Sequence, residues 1–425
     1  MESSIEKTPR SKKSGVFYGY RIVIVAFLCL FIFSGSGVGV FSLFVKPLQS
    51  DFGWGRGEIM LGFTIFFLLT GLAAPLVGSL VDRYGVRGVI SAGAFVAGLG
   101  FISLNLMRSL WHFYIAYFFI GAGMAALGQV PASAMVSNWF IKRRGTAIGI
   151  MSTGIGAGIL VLAPLFGGFI IPTFGWRTSY LVLAIFAWML IPLALFVVRT
   201  KPTDMGLYPD GIEGPEDAAE AQASLSAATG LSLKMALGTS AFWLIAVTFL
   251  VNGFSALGVN QNQVPHLQDI GFPLATAASA LTGLGLGSAI GKFVFGWLCD
   301  QIPAKYACAI SFVLLAVGTI IFMSVKPGSP LAIIWLYAII LGLGAGGWLP
   351  TMSMMINTNF GLTSYGAIFG MITLAQGIGG ATGPFLAGYM YDTMNTYQWA
   401  FTIFLALYAV ALSAVLLVRR PKSMK

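Results

Sequence analysis

The sequence has few charged side chains and few cysteines, and each of these two shortages excludes a class of protein. Charged residues make up 9% of the 425 residues, against about 25% in ordinary soluble domains. So few charges cannot cover the surface of a soluble protein of this size. The cysteines, Cys29, Cys299 and Cys308, are odd in number and show no C-x-x-C spacing, so they predict neither a disulfide framework nor a metal site.

Long apolar runs are what the sequence does contain. A transmembrane helix needs about 20 predominantly apolar residues, and a window of that length predicts twelve spans. Runs of this length must be helical because lipid offers no water to unpaired backbone groups. The predicted fold is therefore all-α, a polytopic membrane protein with twelve transmembrane helices. The spans are expected near 20–45, 57–81, 87–107, 111–136, 145–171, 176–198, 239–263, 275–298, 304–325, 330–355, 364–391 and 397–418.

The positive charges are distributed unevenly between the two sets of alternate loops. One set holds eighteen lysines and arginines, whereas the other holds five, which are Lys46, Arg56, Arg108, Arg177 and Lys326. This is the positive-inside bias, which predicts a cell (inner or plasma) membrane protein with both termini cytoplasmic. The net charge of +10 is thereby a topology signal, and no nucleic-acid partner is expected.

The two halves of the chain repeat each other at a nearly constant offset. Asp82 and Asp300 lie 218 residues apart, and Pro131 and Pro350 lie 219 apart. Such halves are typical of transporters with a substrate site near the membrane midplane between two pseudo-symmetric six-helix bundles. The predicted domains are an N-terminal tail (1–18), a first bundle (19–198), a cytoplasmic linker (199–238), a second bundle (239–418) and a C-terminal tail (419–425).

Two sets of motifs resemble a known family. The stretch GSLVDRYGVR (78–87) resembles the loop signature of the major facilitator superfamily, and its second copy before Asp300 is degenerate. That resemblance implies a cytoplasmic charge lock, with Asp82, Arg83, Arg87 and Asp300 as gating candidates. The stretches GYRIVIVAF (19–27), FGW (52–54), NWFIKRRGTAIG (138–149) and FGWR (174–177) are similar to the monocarboxylate transporter and oxalate:formate antiporter group, over residues 18 to 418.

Lys292 is the only charged side chain expected deep inside a span. A charge at that depth costs about 2.5–3.5 kcal/mol on insertion scales and marks a functional site by default. It falls where the resembled group has arginine, in a frame shared with Gly291, Gly296 and Asp300, and the resemblance implies that it binds a substrate carboxylate. The alternative is a lysine that snorkels to the cytoplasmic interface.

None of the fourteen acidic residues is expected at mid-span. The partner of Lys292 should therefore be substrate, water or a dipole. Proton coupling normally requires a titratable group in the path, and the candidates are Lys292 itself or His266 and Asp269 at the external end of helix 7. The competing interpretation of Asp269 is a solvated loop acid that caps the turn before helix 8. The resemblance places Gly39 and Gln376 where relatives have a second lysine, which favours a singly charged anion.

Uncharged polar or aromatic residues at mid-span are candidates to complete the pocket. For each of them, hydrogen bonding or packing between helices is the competing interpretation. They are Ser34, Tyr114, Tyr117, Gln129, Asn252, Ser288, Trp348 and Gln376. Gly370, Gly379, Gly383 and Pro384 outline a spacing that resembles an antiporter motif, although such glycines mostly permit close packing.

The sequence predicts no enzyme, because it shows no paired acids at depth and no phosphate-binding loop, and it predicts no cofactor or metal. The expected function is secondary transport of a small organic monocarboxylate, such as lactate, pyruvate or formate, by alternating access. Proton-coupled symport is the expected mode, with anion exchange or another solute as alternatives. A non-transporting membrane sensor is the alternative from another class. The expected partners are the organic anion, a proton and the bilayer, and the chain is expected to be monomeric.

Overall fold

The computed structural model describes residues 17–140, 144–199, 202–205, 207–208, 210, 230–361 and 364–419. In this part of the chain the regular structure is helical, and an isolated bridge joins Gly230 to Gly361. Within these residues, nine helices are long and apolar enough to cross a membrane, and a pair bent by 43° counts as a tenth. Two more spans are less obvious. The 52-residue run Thr146–Val197 breaks at Gly175, and Tyr365–Met394 is helical but rich in glycine and polar residues.

The predicted fold class is therefore confirmed, with twelve spans in two six-helix halves. The first half contains α1 (Gly19–Phe52), α2 (Arg56–Leu72 with Ala74–Val81), α3 (Arg83–Asn105), α4 (Leu110–Trp139), α5 (144–174) and α6 (176–197). The second half contains α7 (Ser240–Asp269), α8 (Leu274–Gln301), α9 (Ala304–Met323), α10 (Leu331–Phe360), α11 (Tyr365–Met394) and α12 (Gln398–Leu417).

Two glycines turn the chain between adjacent spans. Gly85, at the start of α3, has φ 77° and ψ 157°, and Gly175, between α5 and α6, has φ 77° and ψ 168°. Residues with a side chain rarely adopt such positive φ values, because Cβ meets the backbone. The stretches 78–87 and 174–177, which contain these two glycines, therefore form the turns between adjacent helices.

Both ends of the described chain lie at one end of the bundle, because the chain crosses an even number of times. We call this the terminal end, and the opposite end, where α2 begins, the Arg56 end. A short helix, Leu233–Leu237, lies within the predicted linker, and the N–H of Leu231 donates to the carbonyl of Phe360 at 2.8 Å. Most of 199–238, like most of both tails, lies outside the described residues, so the domain boundaries stay predictions, as does the sidedness of the termini.

The halves meet mainly along α2 with α11 and α5 with α8, with further contact between α1 and α7. The Thr64 hydroxyl of α2 donates to the carbonyl of Ala381 in α11 at 2.6 Å. The α5–α8 contact is made of glycines, since a Cβ on Gly285 would lie 3.1 Å from the carbonyl oxygen of Gly156. Small residues let helices in lipid approach closely. Here they allow α5 of the first half to pack against α8 of the second half, close to Lys292.

The first span is irregular at its centre. After Gly19–Ile32, α1 widens into a π-turn, Phe33–Gly39, and then tightens into a 3₁₀ turn, Phe41–Phe44. Wide turns of this kind occur often at functional sites, because they free backbone groups for other partners. The carbonyl of Val38 is one such group, and it accepts from Gln261 of α7 at 3.0 Å.

Candidate functional site

Lys292 lies at the contact between the two halves. Its Nζ atom donates to the backbone carbonyl of Ser152, in α5, at 3.3 Å. Among the ion pairs of the described residues, none includes Lys292. The partner observed is thus a backbone dipole, one of the three kinds of partner expected from the sequence.

The depth of this ammonium argues against snorkelling. Gly156 of α5 lies beside Gly285 and Ala289 of α8. The two helices run in opposite directions, so Lys292 falls level with Ser152 by simple continuation. Its ammonium therefore stays at the depth of its own helical turn and does not extend towards the end of α8.

Two of the predicted pocket residues, Ser288 and Trp348, lie near Lys292 or near a residue that contacts its backbone. Ser288 is one helical turn before Lys292. A Cβ on Gly346 of α10 would lie 2.5 Å from the carbonyl oxygen of Ser288 and 2.8 Å from the backbone nitrogen of Lys292. Trp348 follows two residues later, where the second segment of α10 begins, and it is partly exposed. The structure therefore brings α8 and α10 together around the lysine.

Two further candidates, Asn252 and Gln376, contact each other. The Gln376 Nε2 atom donates to Asn252 Oδ1 at 3.4 Å, which links α7 to α11. This contact is of the interhelical kind named as the competing interpretation. Gln376 is nevertheless partly exposed, whereas Asn252 is buried, so a role of the pair in the pocket stays a prediction.

Two of the candidates from the first half, Tyr117 and Ser34, are buried. Tyr117 is 3% exposed, and its hydroxyl lies 3.4 Å from that of Tyr180 in α6. Ser34 is buried within the π-turn of α1. Packing within the first half explains Tyr117 better than a pocket position does. Gln129, which begins the second segment of α4, is partly exposed, and its role stays a prediction.

The predicted charge lock lies at the terminal end. Arg83, Arg87 and Asp300 are exposed, and the guanidinium of Arg83 lies 5.2 Å from the ring centre of Tyr84. The side chain of Asp82 lies outside the described residues. A lock formed by these four residues stays a prediction.

At the Arg56 end, the two halves are joined by charged side chains whose pairing is not predicted from the sequence. Asp269, at the end of α7, accepts two hydrogen bonds from Arg56, Nη2 to Oδ1 at 2.7 Å and Nη1 to Oδ2 at 2.6 Å. Lys46 of α1 forms an ion pair with the same carboxylate. The side chain of Asp269 is 16% exposed. Its interpretation as a solvated loop acid is therefore wrong, because it joins one half of the protein to the other.

Arg56 is enclosed on every side. It is 1% exposed, and its guanidinium carbon lies 3.7 Å from the ring centre of Tyr391. The same group donates to the hydroxyl of Tyr397 at 2.8 Å and to Oε1 of Gln49 at 3.3 Å. A buried arginine is tolerated only with partners of this quality.

A second acid completes this closure, which we call the gate (Lys46, Arg56, Asp269 and Asp392). The carboxylate of Asp392, in α11, accepts from the backbone N–H groups of Arg56 and Gly57 at 2.9 and 2.7 Å. These N–H groups begin α2 and have no partner within their own helix. A recess of about 580 Å³ lies beside Asp392, which lines it together with Gln49, Gly57 and Tyr391.

His266 lies near the gate without an observed role in it. Its ring packs edge-on against Phe322, Tyr397 and Phe401, with ring centres 5.1 to 5.7 Å apart. It supports Tyr397, which contacts Arg56. Its predicted part in coupling stays a prediction.

A run of four amides in α7, residues 260–263, was also missed from the sequence. Gln261 contacts α1 as described, and Asn262 Nδ2 donates to the carbonyl of Pro384 at 3.2 Å. Gln263 Oε1 accepts from the hydroxyl of Tyr337 at 3.2 Å. Four consecutive amides inside an apolar span are a readable signal, since each needs a partner in lipid. Arg56 lies at the start of α2, and Asp269 and Asp392 lie at or near the ends of α7 and α11. This arrangement was the signal in the sequence for the role of Arg56.

The family model of the major facilitator superfamily matches residues 26–264 and 253–425, which together cover most of the chain. The chain belongs to this superfamily. As a facilitator-superfamily transporter it is 28% identical to human monocarboxylate transporter 11 over 341 residues, or 78% of this chain and 68% of that protein. It is 26% identical to mouse monocarboxylate transporter 12 over 427 residues, or 96% and 87% of the two chains.

Two bacterial proteins are similar to this facilitator-superfamily transporter as well. One is YcxA of Bacillus subtilis, an uncharacterised transporter of the superfamily, at 24% identity over 391 residues, or 88% and 89% of the two chains. The other is a bacterial homologue of the human lysosomal transporter Spinster, solved in an inward-facing and unoccupied conformation. It matches at a TM-score of 0.69 with 15% identity and covers 95% of both chains, and this likeness shows the fold. The expected resemblance to the superfamily and to its monocarboxylate transporters is confirmed.

Proposed function

We propose that this transporter carries a small organic monocarboxylate across the cell membrane, and that Lys292 binds the carboxylate. The observation that carries the proposal is the ammonium of Lys292, held at depth between the halves with a backbone carbonyl as its observed partner. A carbonyl dipole compensates a cation only in part, and an anionic substrate would complete the pairing. The names of the relatives, monocarboxylate transporters 11 and 12, support the same class of substrate.

The places where the halves touch support alternating access as the mechanism. The gate closes the Arg56 end, while Lys292 lies farther along α8 towards the terminal end. If the positive-inside bias gives the orientation, the Arg56 end faces away from the cytoplasm. Rocking of the halves would then break the gate and expose the α5–α8 contact to the outer side.

A single cation at depth favours a singly charged anion over a dicarboxylate. Lysine differs from the arginine of the resembled group, because it is a compact point charge that can also release its proton. We propose proton symport, in which the charge state of Lys292 follows the binding of the substrate. Exchange of one anion for another is the competing mode.

Uptake into proteoliposomes tests the substrate and the mode together. Labelled lactate, pyruvate, formate and oxalate are offered with an imposed pH gradient, or with unlabelled anion trapped inside. Accumulation of monocarboxylates that follows the pH gradient supports symport, and accumulation that requires internal anion supports exchange. Binding without accumulation under either condition would indicate a sensor and reject the proposal.

The role of Lys292 is tested by comparing two substitutions. Lys292→Gln keeps a polar side chain but removes the charge, so lactate uptake should fall by about tenfold or more, because hydrogen bonds to charged groups contribute about 1.5–3 kcal/mol. Lys292→Arg restores the charge and should recover most of the uptake. Unchanged uptake by the glutamine variant would show that the carboxylate binds elsewhere.

A further inference from the structure

The gate holds two side-chain cations on one carboxylate. Asp269 accepts from Arg56 through both oxygens and also pairs with Lys46. The other gate acid, Asp392, is engaged by the backbone N–H groups of Arg56 and Gly57. Within the described part of the chain, no other ion pair involves Lys46 or Arg56. Removal of Asp269 would take away the negative charge that Lys46 and Arg56 share, and would leave these two cations next to each other.

The partners of this cluster belong to different halves. Lys46 and Arg56 come from α1 and α2 of the first half, and Asp269 comes from α7 of the second. The rings that cover Arg56, Tyr391 and Tyr397, also belong to the second half, whereas Gln49 lies on α1. Separation of the halves at this end would withdraw Asp269 and both rings together. Lys46, Gln49 and Arg56 would remain side by side and become accessible to water.

Asp269 contacts Arg56 as a bound carboxylate would. Two N–H···O bonds, of 2.6 and 2.7 Å, join two guanidinium nitrogens to the two oxygens of one carboxylate. This two-point contact is the way in which a guanidinium recognises a carboxylate. The substrate proposed above carries the same group. The two carboxylates would therefore compete for the same pair of cations.

We infer that Lys46 and Arg56 form an entry site for the carboxylate of the substrate when the Arg56 end is open, and that Asp269 takes its place when this end closes. The inference rests on the proposed function, since it takes the substrate to be a carboxylate. Asp269 then does more than lock the halves. It releases the substrate from the entry site, so that the anion continues to Lys292 or returns to the outer solution.

Binding in the absence of Lys292 separates an entry site from a simple lock. Four proteins are purified into lipid nanodiscs, namely Lys292→Gln, Asp269→Asn/Lys292→Gln, and the latter with Lys46→Gln or Lys46→Arg added. Saturation-transfer NMR detects weak binding of lactate, and lactamide serves as the neutral probe of the same shape. Removing Lys292 eliminates binding at the deep site, and Asp269→Asn leaves the cation pair without its carboxylate.

An entry site predicts a lactate signal several-fold larger with Asp269→Asn than without it, and little signal from lactamide. Adding Lys46→Gln should remove most of this gain, and Lys46→Arg should retain it. A simple lock predicts that Lys46 no longer matters once Asp269 is replaced. A signal unaffected by Lys46→Gln, or equal for lactate and lactamide, overturns the inference.

Transport gives the same comparison if the variants lacking Lys292 do not remain monodisperse. Asp269→Asn and Asp269→Asn/Lys46→Gln are then compared with Lys292 in place. The entry site predicts that the second variant needs about fivefold or more external lactate for half-maximal uptake, with a similar maximal rate, and equal half-saturation overturns it. If the parent protein takes up lactate and Lys46→Gln changes neither binding nor half-saturation, the entry site alone is rejected. Binding that depends on Lys46, together with no uptake by the parent, would reject the proposed function alone.

Discussion

At the scale of single residues, three of the cations at the Arg56 end are paired with an acid. Lys46 and Arg56 share Asp269, and Arg177 lies 3.4 Å from Asp51. Exposed ion pairs contribute little to stability, and Arg177 and Asp51 are both about half exposed. The Arg56–Asp269 pair differs because the arginine is buried, so leaving it without its partner would cost several kcal/mol. The closed gate is therefore sensitive to a single acid.

Asp392 offers a test of stability at the gate. Asp392→Asn should lower the free energy of unfolding by about 1–2 kcal/mol, since a hydrogen bond to a charged group contributes about 1.5–3 kcal/mol and a neutral one about 0.5–1.5 kcal/mol. The reason is that a neutral amide accepts hydrogen bonds from the Arg56 and Gly57 N–H groups less strongly than a carboxylate does. Unfolding in mixed micelles provides the measurement. Asp300→Asn, at an exposed position of the opposite end, is the matched control and should change little.

At the scale of helices, glycines of the same helix differ in how closely a neighbouring helix approaches them. On α11, a Cβ at Gly379 would lie 2.0 Å from the carbonyl oxygen of Leu250, and one at Gly383 would lie 1.9 Å from that of Phe254. At Gly370, earlier in the same helix, no atom of the described residues lies within 4 Å of such a Cβ. The spacing that resembles an antiporter motif is thus partly a packing surface between α11 and α7.

This difference predicts the effect of a single methyl group. Gly383→Ala should lower the melting temperature in detergent markedly and reduce uptake, because the backbones of α7 and α11 must separate to admit the methyl group. Gly370→Ala adds the same group to the same helix in open space and should leave the melting temperature nearly unchanged. Equal melting temperatures of the two variants would show that α7 and α11 are farther apart in the membrane than in this structure.

At the scale of the whole molecule, the spans were predictable and the gate was not. Hydropathy and the need to satisfy backbone groups act locally, so twelve helices follow from windows of the sequence. The ion pair of Arg56 and Asp269 joins residues 213 positions apart, and it depends on which helix ends meet after the halves pack. The polar hydroxyl of Tyr117 predicts a pocket position, whereas in the structure the hydroxyl of Tyr180, from another helix, lies beside it. The depth of Lys292 could be predicted, but its carbonyl partner in α5 could not.

A native cysteine can report the position of the two halves. Cys299 lies near the terminal end of α8 and lines a recess of about 310 Å³ with Ser353, Asn357 and Tyr365. Cys29 and Cys308 are buried. A membrane-impermeant maleimide should therefore label this protein through Cys299, and Cys299→Ser should abolish most of the labelling. If the termini are cytoplasmic, labelling should be fast in inside-out vesicles and slow in intact cells.

The same label tests whether the gate sets the resting state of the transporter. Asp269→Asn removes the charge that holds the Arg56 end closed, so more molecules should open at that end and close at the terminal end. We expect the rate of Cys299 labelling in inside-out vesicles to fall several-fold in this variant. Asp300→Asn, which changes an acid next to the label but not the gate, should keep the parent rate. An unchanged rate in Asp269→Asn would mean that contacts along α2–α11 and α5–α8 hold the resting state without the ion pair.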